Sequence, residues 1–414
     1  MAQQWNISDR RIRKLIADGR IPGVKKEGKE YLIPMYAVKP VDLRFSENTV
    51  IYKAEKNALY YLKWQNDVLG IVTKDWEVEF EKPNYNPIVS LYTKGDKHWT
   101  KTQLEEFLSD RIVSSQRRDI EKVLKRLNIT SYDIFAIASQ TKAISAKDLL
   151  WFANSTDEKF EDAISDVFES IFMQALDKQG DSVDTPEGNN IKRYGVYNGR
   201  YGIYKQRISP LSTDCESELA VYKLATLLNV PCCKVYKVDD NTIFSEFEYD
   251  FSKEYIIHFR RLMNAERSDN EYQNLISIRP CYQKEFAQMI ALDFITRQDD
   301  RHLSNIAVKI TDEKESFYPL YDNGRSLFYE DTEETTNKAV LDIQKYSTSF
   351  GPRGTYYDFV KEIASNGVDF KRLLNLNVTR EEIQKILTES GFKDYRLKAS
   401  EDWICKAIEL LQTI

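Results

Sequence analysis

The sequence predicts an α+β protein of two or three packed units. A chain of 414 residues is longer than one hydrophobic core usually covers, and its hydrophobic share of 42% is that of an ordinary globular protein. Runs with the alternation of a β-strand stand beside runs with the apolar spacing of an amphipathic helix. We therefore expect both kinds of element in the larger units.

The first predicted unit covers residues 1–44, where basic residues dominate. Ser8 precedes apolar residues at helical spacing, which predicts a helix from Asp9 to Asp18. Two short extended runs about a turn in residues 24–34 predict a β-hairpin. A helix followed by a basic hairpin is typical of a small winged helix-turn-helix module, which binds DNA.

Residues 7–23 are similar to the excisionase and MerR-type helix-turn-helix family. The resemblance implies that the helix contacts the major groove or phosphates and that the hairpin contacts the DNA backbone. The residues implied are Arg10, Arg11, Arg13, Lys14, Lys25, Lys26 and Lys29. The alternative is an accessory domain whose charges only solvate its surface.

The second predicted unit covers residues 45–178. It begins with a strand-like aromatic run at residues 59–62 and continues with amphipathic helices over residues 101–107 and 117–127. We find no catalytic set of residues there. A polar segment over residues 177–190, rich in Asp, Gly and Ser, marks the boundary with the third predicted unit, residues 179–414.

The third unit carries two polar segments that suit phosphoryl transfer. Asp300 and Asn305 stand five residues apart on one short loop, after a helix and before a strand-like run. Asp322 follows a second strand-like run and lies two residues before Gly324. Phosphoryl transfer needs a carboxylate near the attacking hydroxyl and oxygen ligands for Mg²⁺, and these three side chains supply both.

A lysine and a glutamate precede these loops in the chain. Lys205 ends an alternating strand-like run, and a helix with regular apolar spacing follows it. Glu218 or Glu216, in the first part of that helix, could pair with Lys205 and hold its ammonium group against phosphates.

Asp300 to Asn305, Tyr321 to Gly324 and Ser326 to Tyr329 together resemble the HipA-like serine/threonine protein kinases. Residues 107–117 also resemble a recurrent segment of HipA-like proteins. The resemblance implies a bilobal, protein-kinase-like catalytic domain with an N-lobe at about 179–250 and a C-lobe at about 251–414. It also implies ATP and Mg²⁺ as cofactors and a protein substrate.

The family's functional residues map onto this chain one at a time. Asp300 matches the catalytic aspartate, and Asn305 with Asp322 match the metal ligands. Lys205 matches the phosphate-contacting lysine, and Glu218 matches its ion-pair partner. His302 is expected to support the catalytic loop.

The resemblance also implies an ATP site outside these loops. The phosphate loop corresponds to residues 185–192, with Gly188 and Asn189 as contacts, and Gly188 is the one glycine retained. Some family members autophosphorylate a hydroxyl residue in this loop, for which Thr185 and Ser182 are the candidates. The hinge that meets adenine is expected at Glu246 and Phe247, after a strand-like region over residues 238–243.

Composition bears on the partners of the protein, the state of its cysteines and its location in the cell. The net charge of −6 gives no general attraction to nucleic acid, so DNA binding would need a local basic surface. The five cysteines lack zinc-type pair spacing and predict free thiols. No leader or membrane-spanning stretch is recognisable, which predicts a cytoplasmic protein without membrane contact.

Three functions are compatible with these observations. The first is a serine/threonine protein kinase with a fused DNA-binding module, a toxin-like or mobile-element regulator that an antitoxin-like partner could restrain. The second is a DNA-binding transcriptional regulator whose pseudokinase domain binds only nucleotide or a partner. The third is a lipid or small-molecule kinase.

Overall fold

The structure, a computed structural model, describes residues 8–17, 21, 24–28, 30–33, 57–109, 111–113, 115, 120–145, 148–167, 192–250, 254–262, 271–311, 314–347 and 354–414. The chain divides into two compact units. The first contains Met1–Thr185, Asp250–Tyr255 and Ile310–Glu315, and the second contains Pro186–Tyr249, Ile256–Lys309 and Ser316–Ile414. The division into three units stays a prediction.

The N-terminal segment forms a helix and a hairpin. Helix α1 spans Asp9–Ala17, and strand β1, Lys25–Glu27, pairs antiparallel with β2, Glu30–Leu32. Ile12 and Leu15, three residues apart on one side of α1, are buried together with Ile21, which follows the helix. The predicted helix and hairpin are confirmed, while the winged helix-turn-helix as a whole stays a prediction.

The rest of the first unit is built on a five-stranded antiparallel sheet with strand order β6-β5-β4-β3-β7. Its strands are β3 Ala58–Trp64, β4 Asp67–Thr73, β5 Val78–Phe80, β6 His98–Trp99 and β7 Leu150–Ala153. Its helices are α2 Pro87–Thr93, α3 Lys101–Ser109, α4 Ile120–Arg126, α5 Ile134–Gln140 and α6 Phe160–Val167. The predicted strand at residues 59–62 lies within β3, and the predicted helix at residues 101–107 lies within α3. The helix predicted over residues 117–127 contains α4.

The second unit begins with a four-stranded antiparallel sheet and one long helix. The strand order is β10-β11-β9-β8, and helix α7 joins β9 to β10. These elements are β8 Lys192–Tyr197, β9 Arg200–Gln206, α7 Asp214–Leu227, β10 Val235–Lys237 and β11 Thr242–Glu246. The strand-like region predicted over residues 238–243 is wrong for residues 238–241, because the polar residues 239–241 form the turn between β10 and β11, while Thr242 and Ile243 begin β11.

Most of the remaining chain is helical, with one three-stranded sheet of order β12-β13-β14. The strands are β12 Tyr255–His258, β13 Ala307–Ile310 and β14 Glu315–Phe317. The helices are α8 Phe259–Leu262, α9 Glu271–Ile278, α10 Gln283–Thr296, α11 Glu333–Leu341, α12 Tyr356–Ser365, α13 Phe370–Leu373, α14 Arg380–Ser390 and α15 Asp394–Thr413.

Helix α10 is the centre of this helical part. Every residue from Phe286 to Thr296 is buried, so this part of the helix is covered by the protein on all sides. The Trp403 indole of α15 is fully buried and donates to the Phe294 carbonyl across 3.0 Å. The end of α10 is therefore fixed, and the loop with Asp300 begins from it. In the described parts of the chain, no helix is both long enough and apolar enough to cross a membrane.

Candidate active site

Two lysines face each other on neighbouring strands of the four-stranded sheet. Lys192 of β8 is the direct cross-strand partner of Lys205 of β9. Asn198 and Gly199 form the turn between these strands, both with positive φ, which is the geometry of a tight two-residue hairpin. Directly opposite side chains lie on one face of a sheet, and like charges there repel. The pair therefore requires anionic partners.

Asp322 is one of those partners. Its carboxylate accepts hydrogen bonds from Lys205 Nζ at 3.0 Å and from Lys192 Nζ at 3.1 Å, although more than a hundred residues separate it from both lysines in sequence. Burial alone would raise the pKa of Asp322, but the two lysines outweigh burial and hold this pKa well below its usual range. The carboxylate is therefore charged at neutral pH, as a metal ligand must be.

Glu218 of α7 is the second anionic partner. It forms an ion pair with Lys205, and the Glu218 side chain is only 3% exposed. Glu216 instead forms an ion pair with Arg207, because residues two apart on a helix face different directions. A Cβ atom at Gly324 would lie 3.5 Å from Cγ of Glu218, so the segment after Asp322 packs closely against α7.

Arg301 ties the two predicted loops together and is fully buried. It binds the Asp293 carboxylate of α10 at 2.9 and 3.0 Å. It also donates to the Asn305 and Tyr321 carbonyls at 3.2 and 2.9 Å and to Asn323 Oδ1 at 2.6 Å. Burial alone would lower the pKa of Arg301, but Asp293 raises it above its usual range, so the guanidinium stays charged.

Gln298 makes a second connection between the same loops. Its Oε1 accepts from the Asp300 N–H at 2.9 Å, and its Nε2 donates to the Asp322 carbonyl at 3.2 Å. Asn305 Nδ2 donates to the Asp300 carbonyl at 3.0 Å, which leaves Oδ1 as the amide atom that can ligate a metal. The backbones that carry Asp300, Asn305 and Asp322 are therefore held together by hydrogen bonds from buried side chains.

Two histidines border the loop that carries Asp300 and Asn305. His302 is exposed, and its Nδ1 accepts from the Ser304 N–H at 3.2 Å, so it caps the short turn that contains Asn305. His258 Nδ1 lies 2.5 Å from the Ser304 carbonyl, which also accepts from the Tyr321 hydroxyl at 2.9 Å. Both histidines therefore contact the backbone of this loop at Ser304.

The predicted hinge lies at the end of β11. The Glu246 N–H donates to the Lys234 carbonyl at 2.8 Å, and the Phe247 N–H donates to the Tyr201 carbonyl at 2.9 Å. The Glu246 carboxylate binds Arg200 at 2.7 Å. Because both N–H groups are engaged, adenine at these two residues would depend on carbonyl acceptors. Gly188, Asn189, Thr185 and Ser182 lie outside the described residues.

The predicted DNA-contacting residues are in the first unit. Arg10, Arg13 and Lys14 are exposed on α1, opposite its buried apolar side, and Lys26 is exposed on β1. Lys26 Nζ lies 5.8 Å from the centre of the Tyr31 ring. The side chains of Arg11 and Lys25, together with Lys29, are outside what the structure describes.

The sequence patterns did not point to roles for Lys192, Gln298 or Arg301. A signal existed for Lys192, because the Asn198-Gly199 turn fixes the hairpin register and counting back from it places Lys192 opposite Lys205. Gln298 and Arg301 reach partners up to 24 residues away, for which no periodic pattern exists.

Among the described residues, no group of three His, Cys, Asp or Glu side chains is placed to hold a metal ion. The candidate oxygen ligands are the Asp322 carboxylate, which contacts Lys205, and Asn305 Oδ1, on the loop that Arg301 joins to the Asp322 loop. Mg²⁺ is commonly bound by one or two protein oxygens and completed by water and phosphate oxygens. The donor set therefore fits Mg²⁺ that arrives with a nucleotide.

Neither the protein-family models nor the curated proteins contain a match to this chain. One similar solved structure is the proinflammatory kinase CtkA of Helicobacter pylori, with 14% identity over 55% of this chain and 88% of that chain and a TM-score of 0.43. Another is the HipA, HipB and operator DNA complex of Shewanella oneidensis, with 13% identity over 86% and 99% and a TM-score of 0.48. Because both sequence identities and both TM-scores are low, the assignment of function depends on this chain's own residues.

Proposed function

We propose that this protein is an ATP- and Mg²⁺-dependent kinase of the HipA-like type that phosphorylates serine or threonine on a protein substrate. One observation carries the proposal: Asp322 lies between Lys192 and Lys205, with Glu218 paired to Lys205. Arg301 joins the loop of Asp322 to the loop that carries the other polar side chains. A carboxylate, a fixed lysine and a second polar loop are the parts that phosphoryl transfer requires.

Each side chain has a distinct task in this proposal. Lys205, held by Glu218, binds phosphate oxygens of ATP, and Lys192 contributes a second positive charge from the opposite strand. Asp322 and Asn305 hold Mg²⁺, which when bound neutralises charge on the phosphates. Asp300 orients the substrate hydroxyl and accepts its proton. Most of the rate enhancement then comes from positioning and charge neutralisation.

Transfer of labelled γ-phosphate from ATP tests this proposal. Purified wild type should label protein, whereas Asp300→Ala and Asp322→Ala should lose at least about 100-fold of the rate. Asp240→Ala is the matched control, because Asp240 is an exposed carboxylate whose partner is Lys237. Equal labelling by wild type and both site variants would reject the assigned residues.

The acceptor that is labelled in this assay, together with ATP binding measured by calorimetry, separates the competing functions. A pseudokinase would bind ATP in calorimetry without transferring phosphate. A lipid or small-molecule kinase would transfer phosphate to those acceptors and not to protein. The protein-kinase proposal requires Mg²⁺-dependent labelling of a serine or threonine, identified by mass spectrometry.

We also propose that residues 1–44 bind DNA, which the exposed face of α1 supports. Arg10, Arg13 and Lys14 are all exposed, while the apolar side chains of the same helix are buried. Such a helix can place its basic side toward phosphates or base edges. Binding that is absent, or that does not weaken as salt rises, would reject this role.

A further inference from the structure

A single arginine lies between two neighbouring carboxylates at the start of the catalytic loop. Arg325 Nε is 3.4 Å from Asp299 Oδ1, and Arg325 Nη1 is 3.5 Å from Asp300 Oδ1. The Arg325 side chain is 46% exposed, and the two carboxylate side chains are about one third exposed. The guanidinium therefore pairs with the proposed catalytic aspartate and with its neighbour at once.

The position of Arg325 is fixed by other contacts. Its backbone carbonyl accepts from the Asp299 N–H at 3.1 Å, so the two segments are joined by backbone as well as side chains. Its Nε donates to the Tyr329 hydroxyl at 2.8 Å, and the guanidinium carbon lies 5.4 Å from the centre of the Tyr329 ring. A planar guanidinium held in this way keeps its orientation at a lower cost in entropy than a free side chain.

The two carboxylates need such a cation. Like charges on consecutive residues repel, and this repulsion favours rotamers that turn one carboxylate away. Burial raises the pKa of Asp299 to about 6, and Arg325 opposes that rise. Without the cation, Asp300 would lose the contact that fixes its carboxylate.

We propose that Arg325 is a positioning residue that holds the Asp300 carboxylate in the orientation required to accept the substrate proton, an inference that rests on the proposed kinase function. Arg325 acts through Asp300 and need not touch the reacting atoms. The sequence alone gives Arg325 no role, because its partners come from another loop. A misplacement of a reacting group by about 1 Å costs up to about 100-fold in rate.

Arg325→Ala, Arg325→Lys and Arg380→Ala test this proposal in the full-length chain. Arg380 is the matched control because this first residue of α14 also binds two consecutive acidic residues, Glu401 and Asp402, in the middle of α15. Arg325→Ala should lower kcat by about 10- to 100-fold while the KM for ATP stays within about twofold. Arg325→Lys should keep part of the rate that Arg325→Ala loses, and Arg380→Ala should transfer phosphate at the wild-type rate.

Added guanidinium ion at low millimolar concentration distinguishes positioning from a general structural role. It should restore at least a few-fold of the rate to Arg325→Ala and none to Asp300→Ala, because only the first variant has the space and the intact carboxylate. Wild-type kcat in Arg325→Ala, or a loss confined to KM, would overturn the inference. A folded Arg325→Ala that guanidinium does not rescue would also overturn it. Wild type that transfers no phosphate would instead reject the proposed function.

Discussion

Replacement of Arg301 by methionine should destabilise the second unit and abolish phosphoryl transfer. Arg301 is fully buried and binds the Asp293 carboxylate, which is 1% exposed. Arg301→Met leaves that charge without its partner, and removal of one partner of a buried pair costs about 3–5 kcal/mol. The free energy of unfolding of a folded protein is about 5–15 kcal/mol, so this loss is a large fraction of the total.

Hydrogen exchange of helix α10 measures the effect where it occurs. Five of the six tryptophans belong to the first unit, so intrinsic fluorescence would report mainly on the wrong unit. A loss of about 3–5 kcal/mol predicts that amides of α10 exchange about 10²- to 4 × 10³-fold faster, because each 1.4 kcal/mol corresponds to a factor of ten. Arg380→Ala, which breaks a more exposed pair, should change this exchange by less than about tenfold.

A double substitution separates stability from function. Burial raises the pKa of Asp293, which shows that the charged carboxylate is costly at this position even beside Arg301. In Asp293→Leu with Arg301→Met, an apolar pair replaces the ion pair, and most of the stability should return. Transfer should remain absent, because the Asn305 and Tyr321 carbonyls still lack their common donor. Unchanged exchange in Arg301→Met, or wild-type transfer in the double variant, would refute this reasoning.

Three further predictions concern single side chains. Lys192→Met should raise the KM for ATP by about tenfold or more through loss of a charged contact, whereas Lys237→Met, which removes an exposed lysine, should not; steady-state kinetics measures both. Burial raises the pKa of Asp299 to about 6, so the folded state loses stability as pH rises from about 4 to 6. Asp299→Asn should therefore be more stable than wild type by about 1 kcal/mol at pH 7, a value reduced to allow for the exposed part of the Asp299 side chain, and equal to wild type near pH 3; urea titrations measure both. Arg13→Ala should weaken DNA binding and reduce the slope of log affinity against log salt by about 1, as fluorescence anisotropy would show.

Local patterns in the sequence predicted much of the fold. Helix α1 begins at Asp9 as its capping and apolar spacing predict, and α3, α7 and α10 lie where periodic apolar residues stand. The error over residues 238–241 has a local cause as well, since three consecutive polar residues favour a turn over a strand.

By itself, the sequence determined which residue types stand on which short loops, because capping, turns and periodicity act over a few residues. Only the tertiary structure decided that Glu218 and not Glu216 pairs with Lys205, and that Lys192 shares Asp322 with it. It also decided that the buried Arg301 side chain joins the two loops by donating to the Asn305 and Tyr321 carbonyls. The partners in these contacts lie up to 130 residues apart, and periodicity indicates which face of an element is buried but not which charge will meet it.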